Sequence, residues 1–250
     1  MNSYQNKYVA FADILGFENL VNRTAEPDPE VPLAKMLSAL DIPNEVKLEG
    51  IILGRVGDIT EASHRLSTFS DCLAISTEAT EKGLMNLLFH LRAIAFRLLK
   101  LGYLLRGGIA EGALYHEDGK IVGPALVDAY NLEKNVAKYP RIIVDSRIVT
   151  KAKRWKPPLD TIFKRLTRDD GDGYSFVHYL WAIRMAADSD QGFIGDWEHI
   201  VSEIGDFVEC EKRRLAGEEN HLPKILWFEK YFEWARDRSH IDVLSSPFPR

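Results

Sequence analysis

The stretch "YVAFADILGF" (residues 8–17) places one carboxylate at the end of an apolar run, followed by a glycine and a helix-like segment. Residues 7–13 alternate weakly and are rich in β-forming side chains, so they predict a strand that ends at Asp13. A short helix is predicted over about residues 16–23. A carboxylate at such a junction is either an N-terminal helix cap or a metal ligand. The other residues that accompany Asp13 must decide between the two.

Composition excludes several classes of protein. With 250 residues, 46% of them hydrophobic and 28% charged, the chain is expected to be globular, with one large domain or two modest ones. The net charge of −5 argues against a non-specific nucleic-acid binder but permits a local phosphate site. The two cysteines, Cys72 and Cys210, cannot form a disulfide framework. Because His90 and several basic residues interrupt the longest apolar stretch and no leader is evident, we expect a cytoplasmic protein without a membrane span.

Apolar periodicity predicts alternating strands and helices over the first 150 residues. After the first strand and helix, the predicted elements are a hairpin over 64–77 that turns near Ser70 and Asp71, a helix over about 79–101, a bent strand over 103–120, a helix over 123–137 and a strand over 141–145. Further elements are a turn and strand over 170–180 and helices near 195–215 and 220–237. This order predicts an α+β fold of the ferredoxin-like or palm kind, with helices on one face of a mainly antiparallel sheet.

The chain divides into a core and an extension. We expect residues 1–150 to form the core and residues 151–250 to be an α-rich C-terminal elaboration packed on that core, not an independent domain. Residues 24–64 contain four prolines and are predicted to be a variable insertion, with one amphipathic piece around 33–41.

Two aspartates and an arginine are candidates for phosphate chemistry. Asp13 and Asp71 each follow a strand and lie at a turn, where a phosphoryl-transfer site built on divalent cations needs rigid oxygen ligands. The backbone N–H groups of the turn after Asp13 could hold phosphate oxygens. Arg106 is a candidate counter-charge for a triphosphate. Each feature also has an ordinary structural explanation, helix capping for Asp13 and surface ion pairing for Arg106.

The segments "FADILGF", "LSTFSD", "LRGGIAEG" and "GKIVGPALVDAYNLE" together resemble, in the same order, the motifs of class III nucleotide cyclases. The resemblance covers about residues 5–150. It implies the fold of that family and an attack of the ribose 3′-hydroxyl of a nucleoside triphosphate on its own α-phosphate, with release of pyrophosphate. It also implies a homodimer with its sites at the subunit interface.

The resemblance assigns site residues as well. Two divalent ions, Mn²⁺ or Mg²⁺, would be bound by Asp13, Asp71 and the Ile14 carbonyl. The residues that would hold the β- and γ-phosphates are Leu15, Gly16, Phe17 and Arg106.

Departures from the family pattern bear on the substrate. Ser67 and Lys120 stand where purine cyclases carry their base-reading pair, and a lysine ammonium, which can only donate, suits the O2 or O4 acceptors of a pyrimidine. Asn131 stands where the family has its transition-state arginine. We therefore expect another cation to act in place of that arginine. The candidates nearby in the sequence are Lys134, Lys138 and Arg141.

A second resemblance extends beyond residue 150. "GPALVDAYNLE", "YPRIIVD" and the stretch from Leu166 to Leu180 are similar to the bacterial pyrimidine cyclases of the Pycsar anti-phage systems, which make cyclic UMP or cyclic CMP for a separate effector. The sequence thus predicts a cyclase that uses UTP or, less favoured, CTP. Two alternatives remain, a purine cyclase with unfamiliar base-reading residues and a catalytically inactive dimerisation or nucleotide-sensing module of the same fold.

Other polar and aromatic features favour structural roles. Asp169, Asp170 and Asp172 lack the ligand series of an EF-hand and predict a solvated acidic turn. Cys72 is expected to be a small core residue. The aromatic stripe from Trp227 to Trp234 predicts a helix face packed on the sheet or in a dimer contact.

Overall fold

The computed structural model describes residues 3–27, 29, 32–40, 64–180 and 197–236. Within these residues the chain forms eight strands and eight helices. The strands are β1 (Gln5–Leu15), β2 (His64–Phe69), β3 (Cys72–Glu78), β4 (Leu104–Glu117), β5 (Lys120–Val122), β6 (Ile142–Val144), β7 (Thr167–Asp169) and β8 (Ser175–Val177). The helices are α1 (Phe17–Thr24), α2 (Leu33–Leu40), α3 (Glu81–Leu99), α4 (Pro124–Asn135), α5 (Ser146–Ala152), α6 (Leu159–Leu166), α7 (Trp197–Arg214) and α8 (Leu222–Arg236).

One sheet organises the molecule. Its strand order is β2-β3-β1-β4-β6-β8-β7, and β5 pairs with β4 at the side. The β4–β6 pair is parallel and the other pairs are antiparallel. The order β4-β1-β3-β2, with a helix after β1 and another between β3 and β4, is the ferredoxin-like arrangement. The predicted α+β class and the hairpin turn at Ser70 and Asp71 are therefore confirmed.

Both faces of the central strand β1 are covered. Tyr8 and Ala10 point into the main core together with α3, whereas Val9 points to the opposite face and joins a second apolar cluster with α4. Helices consequently lie on both faces, which differs from the expectation of helices on one face. The connection between the parallel strands β4 and β6 contains α4, whose Ala125 and Ala129 pack with Val9, so this crossover covers the second face.

The close approach of α4 to the sheet depends on Gly108. A Cβ at this position would lie 2.5 Å from the Ala129 carbonyl oxygen and 2.5 Å from the Leu132 Cβ. Only a glycine therefore lets α4 pack at this distance. The contact brings the C-terminal half of α4, including Glu133, to the N-terminal end of β4, where Arg106 lies.

The C-terminal part packs on the same core. The aromatic stripe of α8 is buried, as predicted, and its rings contact β8, with Phe176 lying 5.5 Å from Trp227 and 5.2 Å from Tyr231 between ring centroids. The sequence did not predict α5, α6 or β7. The segment 41–63 of the predicted insertion lies outside the described residues, and α2 matches its amphipathic piece. Among the described helices, none combines the length and apolar character needed to cross a bilayer.

A buried ionic group, here called the Arg141 cluster (Arg141, Asp170, Asp172 and Trp227), joins α8 to the sheet. The Arg141 guanidinium donates to carboxylate oxygens of Asp170 and of Asp172, the latter at 2.7 Å, and the Trp227 indole N–H donates to Asp170 at 3.2 Å. The expectation of a solvated acidic turn is thus wrong for Asp170, whose side chain is 7% exposed, because Arg141 lies 29 residues away in sequence and folds against it. Asp172 also pairs with Arg141, but its side chain stays 43% exposed.

Candidate active site

Asp13 and Asp71 meet at one end of the sheet. Asp13 is paired in register with Cys72 of β3 on one side and with Arg106 of β4 on the other. The Ile14 N–H donates to the Asp71 carbonyl oxygen at 2.8 Å, which fixes the hairpin turn against the end of β1. Ligand atoms of Asp13, Asp71 and Cys72 all lie within 4.8 Å of one another. The structure therefore brings together the two carboxylates that the sequence singled out.

Asp13 does not cap α1. The N-cap position of α1 is Gly16, which has a φ of 81° and no side-chain capping bond. A glycine adopts this left-handed conformation without strain, so it turns the chain from β1 into the helix. The Asp13 carboxylate instead accepts a hydrogen bond from the Arg106 guanidinium at 3.2 Å.

Arg106 bridges two carboxylates. Besides Asp13 it forms an ion pair with Glu133 of α4, whose side chain is only 6% exposed. We call Asp13, Asp71, Arg106 and Glu133 the strand-end cluster. Its three carboxylates and one arginine leave an excess of negative charge. A bound divalent cation would offset that excess.

The pKa values of Asp13 and Glu133 in this cluster are raised. Burial raises the pKa of Asp13, and the nearby Asp71 carboxylate raises it further, while Arg106 opposes the change. Burial and the Asp13 charge likewise raise the pKa of Glu133 against the opposing effect of Arg106. Burial is the main cause of both shifts, and the smaller effect of Asp71 on Asp13 is that of two carboxylates held close together.

A cleft opens above these residues. It has a volume of about 540 Å³ and is lined by Asp13, Asp71 and the start of α1, including Gly16 and Phe17. The first N–H groups of an α-helix have no partner within the helix, so they are available to an anion in this cleft. The predicted phosphate-holding residues Leu15, Gly16 and Phe17 thus all line the cleft that also contains the two aspartates.

The donor set fits a hard divalent cation. Two carboxylates from adjacent strands supply oxygen ligands of the kind that Mg²⁺ and Mn²⁺ take. The Ile14 side chain is 3% exposed and belongs to the core, so only its main chain can face the site. Cys72, expected in the core, lies half-buried beside Asp71, and burial together with the charge of Asp71 raises the pKa of its thiol to about 12. Cys72 is therefore a neutral thiol at physiological pH.

The two predicted base-reading residues lie near the arm formed by β4 and β5. The Ser67 hydroxyl is 2.8 Å from Nε2 of His116, and Nδ1 of the same ring is 2.8 Å from the Ser76 hydroxyl. Burial, with smaller contributions from neighbouring cations, lowers the pKa of His116 to about 4, so the ring is neutral. Lys120 is exposed and paired in register with Glu117 across the β4–β5 turn.

Asn131 and the three candidate replacement cations do not enter the strand-end cluster. Asn131 is exposed on the outer side of α4. Arg141 is held in the Arg141 cluster with 1% of its side chain exposed, so it is excluded as a substrate ligand. Lys134 lies over the ring of Tyr130, with its Nζ 5.5 Å from the ring centroid, and Lys138 is exposed.

Sequence reasoning missed three polar residues near the candidate site. Glu133 follows Asn131 by two positions within a quoted motif, and its helical spacing could have indicated that it points away from Asn131. His116 and Lys224 carried no such signal. Lys224 belongs to the first turn of α8 and yet lies close enough to the strand-end cluster for the charges of Arg106, Asp13 and Glu133 to affect its pKa.

Comparisons with known proteins give structural likenesses only. No protein-family model and no curated protein sequence matches the chain. An adenylate/guanylate cyclase/hydrolase from Silicibacter pomeroyi is similar in structure with a TM-score of 0.40 and 17% identity, over 70% of this chain and 97% of that one. The catalytic core of a rhodopsin-guanylyl cyclase with converted specificity, in complex with ATPαS, gives 0.42 and 16%, over 70% of this chain and 96% of that one.

Proposed function

We propose that this chain is a metal-dependent nucleotide cyclase that converts a pyrimidine nucleoside triphosphate, UTP in preference to CTP, into its 3′,5′-cyclic monophosphate. The observation that carries the proposal is the meeting of Asp13 and Asp71 in a cleft that also contains the open N-terminus of α1, with Arg106 bonded to Asp13. Each of these groups has a task in binding a triphosphate through cations. Asp13, the one residue for which the sequence also suggested a helix cap, does not cap α1.

The reaction follows from these groups. The ribose 3′-oxygen forms a bond to the α-phosphorus, the bond from that phosphorus to the bridging oxygen breaks, and pyrophosphate leaves with the electron pair while the hydroxyl proton passes to solvent. Divalent ions bound by Asp13 and Asp71 would lower the pKa of the attacking hydroxyl and neutralise phosphoryl charge. The N–H groups after Gly16 orient the terminal phosphates, and Arg106 exchanges a carboxylate partner for a phosphate oxygen.

The choice of a pyrimidine rests on the base-reading positions. Ser67 is a short side chain with its hydroxyl held by the neutral His116, and Lys120 offers only donors. This combination leaves no acceptor on Lys120 for the amino group of adenine. The Leu166–Leu180 resemblance supports a role for the product as a second messenger in anti-phage defence, read by a separate effector.

The substrate test uses all four nucleoside triphosphates. Purified protein is incubated with each one and with Mn²⁺ or Mg²⁺, and products are identified by mass. Cyclic UMP or cyclic CMP is the expected product, and Lys120→Asp should change the ranking of the four substrates more than the total rate. Cyclic AMP or GMP alone would move the proposal to a purine cyclase. No product with any metal would leave the inactive module as the better account.

A homodimer would complete the site. Asn131 is exposed on α4 beside Val127, which is 57% exposed, and Tyr130, which is 40% exposed, so this face offers an apolar contact surface. We infer that Asn131 acts in the partner's cleft, because it points away from the strand-end cluster of its own chain.

Mixing two inactive variants tests this arrangement. Asp71→Asn and Asn131→Ala proteins, each inactive alone, should regain roughly a quarter of wild-type turnover after 1:1 mixing and subunit exchange, since half of the dimers then carry one intact site. The control is an Asp71→Asn protein mixed with itself. A mixture that stays inactive, although labelled subunits exchange, would show that Asn131 acts in its own chain or not at all.

A further inference from the structure

Lys224 lies beside the strand-end cluster although it belongs to the C-terminal extension. Together with Ile225 it lines a cavity of about 860 Å³ that Leu15 and Gly16 also line. These two residues also line the 540 Å³ cleft above Asp13 and Asp71. Both cavities therefore border the turn before α1, and the cleft contains the two aspartates while the larger cavity contains Lys224.

The Lys224 ammonium is available to a ligand. Within the described part of the chain it forms no hydrogen bond and no ion pair, whereas Arg214, which lines the same cavity, is paired with Glu211. Burial and the Arg106 charge lower the pKa of Lys224, while the charges of Asp13 and Glu133 raise it. A half-buried cation that is close enough for the Asp13 and Glu133 charges to affect its pKa, and that pairs with neither, can bind an anion that enters beside them.

The position of Lys224 is fixed by the buried part of α8. Ile225 is 3% exposed, and Trp227, one turn beyond Lys224, donates its indole N–H to Asp170. Asp170 in turn pairs with Arg141, whose carbonyl oxygen accepts the Gly107 N–H at 3.1 Å. Gly107 directly follows Arg106 on β4. The Arg141 cluster therefore holds α8, and with it Lys224, in a set place relative to Arg106.

We propose that Lys224 binds the terminal phosphates of the substrate and takes the place of the arginine that is missing at Asn131. The inference rests on the proposed cyclase function and adds a ligand from the C-terminal extension to it. When the bond to the bridging oxygen breaks, the electron pair moves onto pyrophosphate, and the Lys224 ammonium donates hydrogen bonds to that charge. Among the cations considered, Arg141 is buried in its own cluster and Lys134 lies over Tyr130, so Lys224 is the better-placed group.

The test measures binding of inorganic pyrophosphate by isothermal titration calorimetry in the presence of Mn²⁺. Loss of one charged donor should weaken binding roughly 10- to 100-fold in Lys224→Met and in Lys224→Gln. Lys224→Arg should restore most of the affinity. Lys230→Met is the matched control, because Lys230 is an exposed lysine further along the same helix and should leave the affinity unchanged. Thermal unfolding of each variant checks that α8 remains folded.

Two results would overturn the inference. One is wild-type protein that does not bind pyrophosphate, and the other is Lys224→Met protein that binds it as tightly as wild type. The proposed function is judged separately by turnover of nucleoside triphosphates. Pyrophosphate binding that depends on Lys224, in a protein that forms no cyclic product, would support the phosphate-binding role of Lys224 and overturn only the cyclase proposal.

Discussion

Carboxylates meet an arginine at two places in this molecule, and the two places differ in exposure and charge balance. In the strand-end cluster the Arg106 side chain is 22% exposed and pairs with two carboxylates, one of which, Asp13, lines a cleft together with Asp71. In the Arg141 cluster the arginine is 1% exposed, and the Trp227 indole donates to one of its two aspartates, Asp170. The first arrangement keeps an excess of negative charge next to open space, whereas the second leaves almost no room for a ligand.

The difference shows how a binding site can be distinguished from a buried ionic cluster that only stabilises the fold, although both contain aspartates and an arginine. A buried cluster must nearly satisfy its charges internally, because an unpaired charge in the interior costs several kcal/mol. A binding cluster can stay incompletely neutralised because solvent reaches it until a cation binds. Burial raises the pKa of Asp170 despite Arg141, so even the buried cluster is only partly compensated.

Neutralising Asp71 should produce the largest effect and separate the two clusters most clearly. In Asp71→Asn we expect turnover to fall roughly 1,000-fold, equivalent to about 4 kcal/mol in the activation barrier, because a metal ligand is lost. The free energy of unfolding should change by less than about 0.5 kcal/mol, since this side chain supports little packing. Steady-state rates and urea unfolding measure the two quantities. Asp118→Asn, at the exposed β4–β5 turn, is the control and should change neither.

Removing the buried arginine should do the reverse. In Arg141→Met the Asp170 carboxylate stays buried without its cation, and we expect the free energy of unfolding to fall by about 3 kcal/mol. In the double variant Arg141→Met/Asp170→Asn the buried carboxylate charge is removed as well, so part of the lost free energy of unfolding should be recovered. Urea unfolding of the single and double variants measures both steps. An Arg141→Met protein as stable as wild type would mean that the cluster does not hold α8.

The two clusters also show what sequence can predict. Asp13, Asp71 and Arg106 were identified because each follows from local pattern: a strand end, a hairpin turn and a motif on a bent strand. Their register across β1, β3 and β4 then brings them together. The position of α4, and with it the contact of Glu133 with Arg106, depends on the close approach of α4 to β4 at Gly108. The apolar periodicity of α4 alone does not predict this contact.

The C-terminal contacts were harder to predict for the same reason. Arg141 and Asp170 are 29 residues apart, and no spacing rule connects them. The acidic turn therefore looked solvated, although its partner was an arginine predicted as a free cation. Lys224 lies on a helix whose aromatic face was predicted to be buried, but only the packing of that face decides which way its first turn points.

Glu133→Gln should have the smallest effect of the three variants, and it tests whether Glu133 contributes to cation binding in the strand-end cluster. Glutamine keeps the shape of the side chain but removes its charge, so Arg106 pairs more fully with Asp13 and the cleft becomes less negative. We expect the Mn²⁺ concentration for half-maximal binding to rise roughly fivefold, about 1 kcal/mol, while the free energy of unfolding stays nearly constant. Calorimetric Mn²⁺ titration measures the first and urea unfolding the second. Glu111→Gln is the matched control. Glu111 lies on β4, as Arg106 does, and pairs with Lys151 of α5, so its loss should leave Mn²⁺ binding unchanged. If Glu133→Gln binds Mn²⁺ as wild type does but unfolds more easily, Glu133 belongs with the structural carboxylates of the Arg141 cluster and the strand-end site consists of its two aspartates and Arg106 alone.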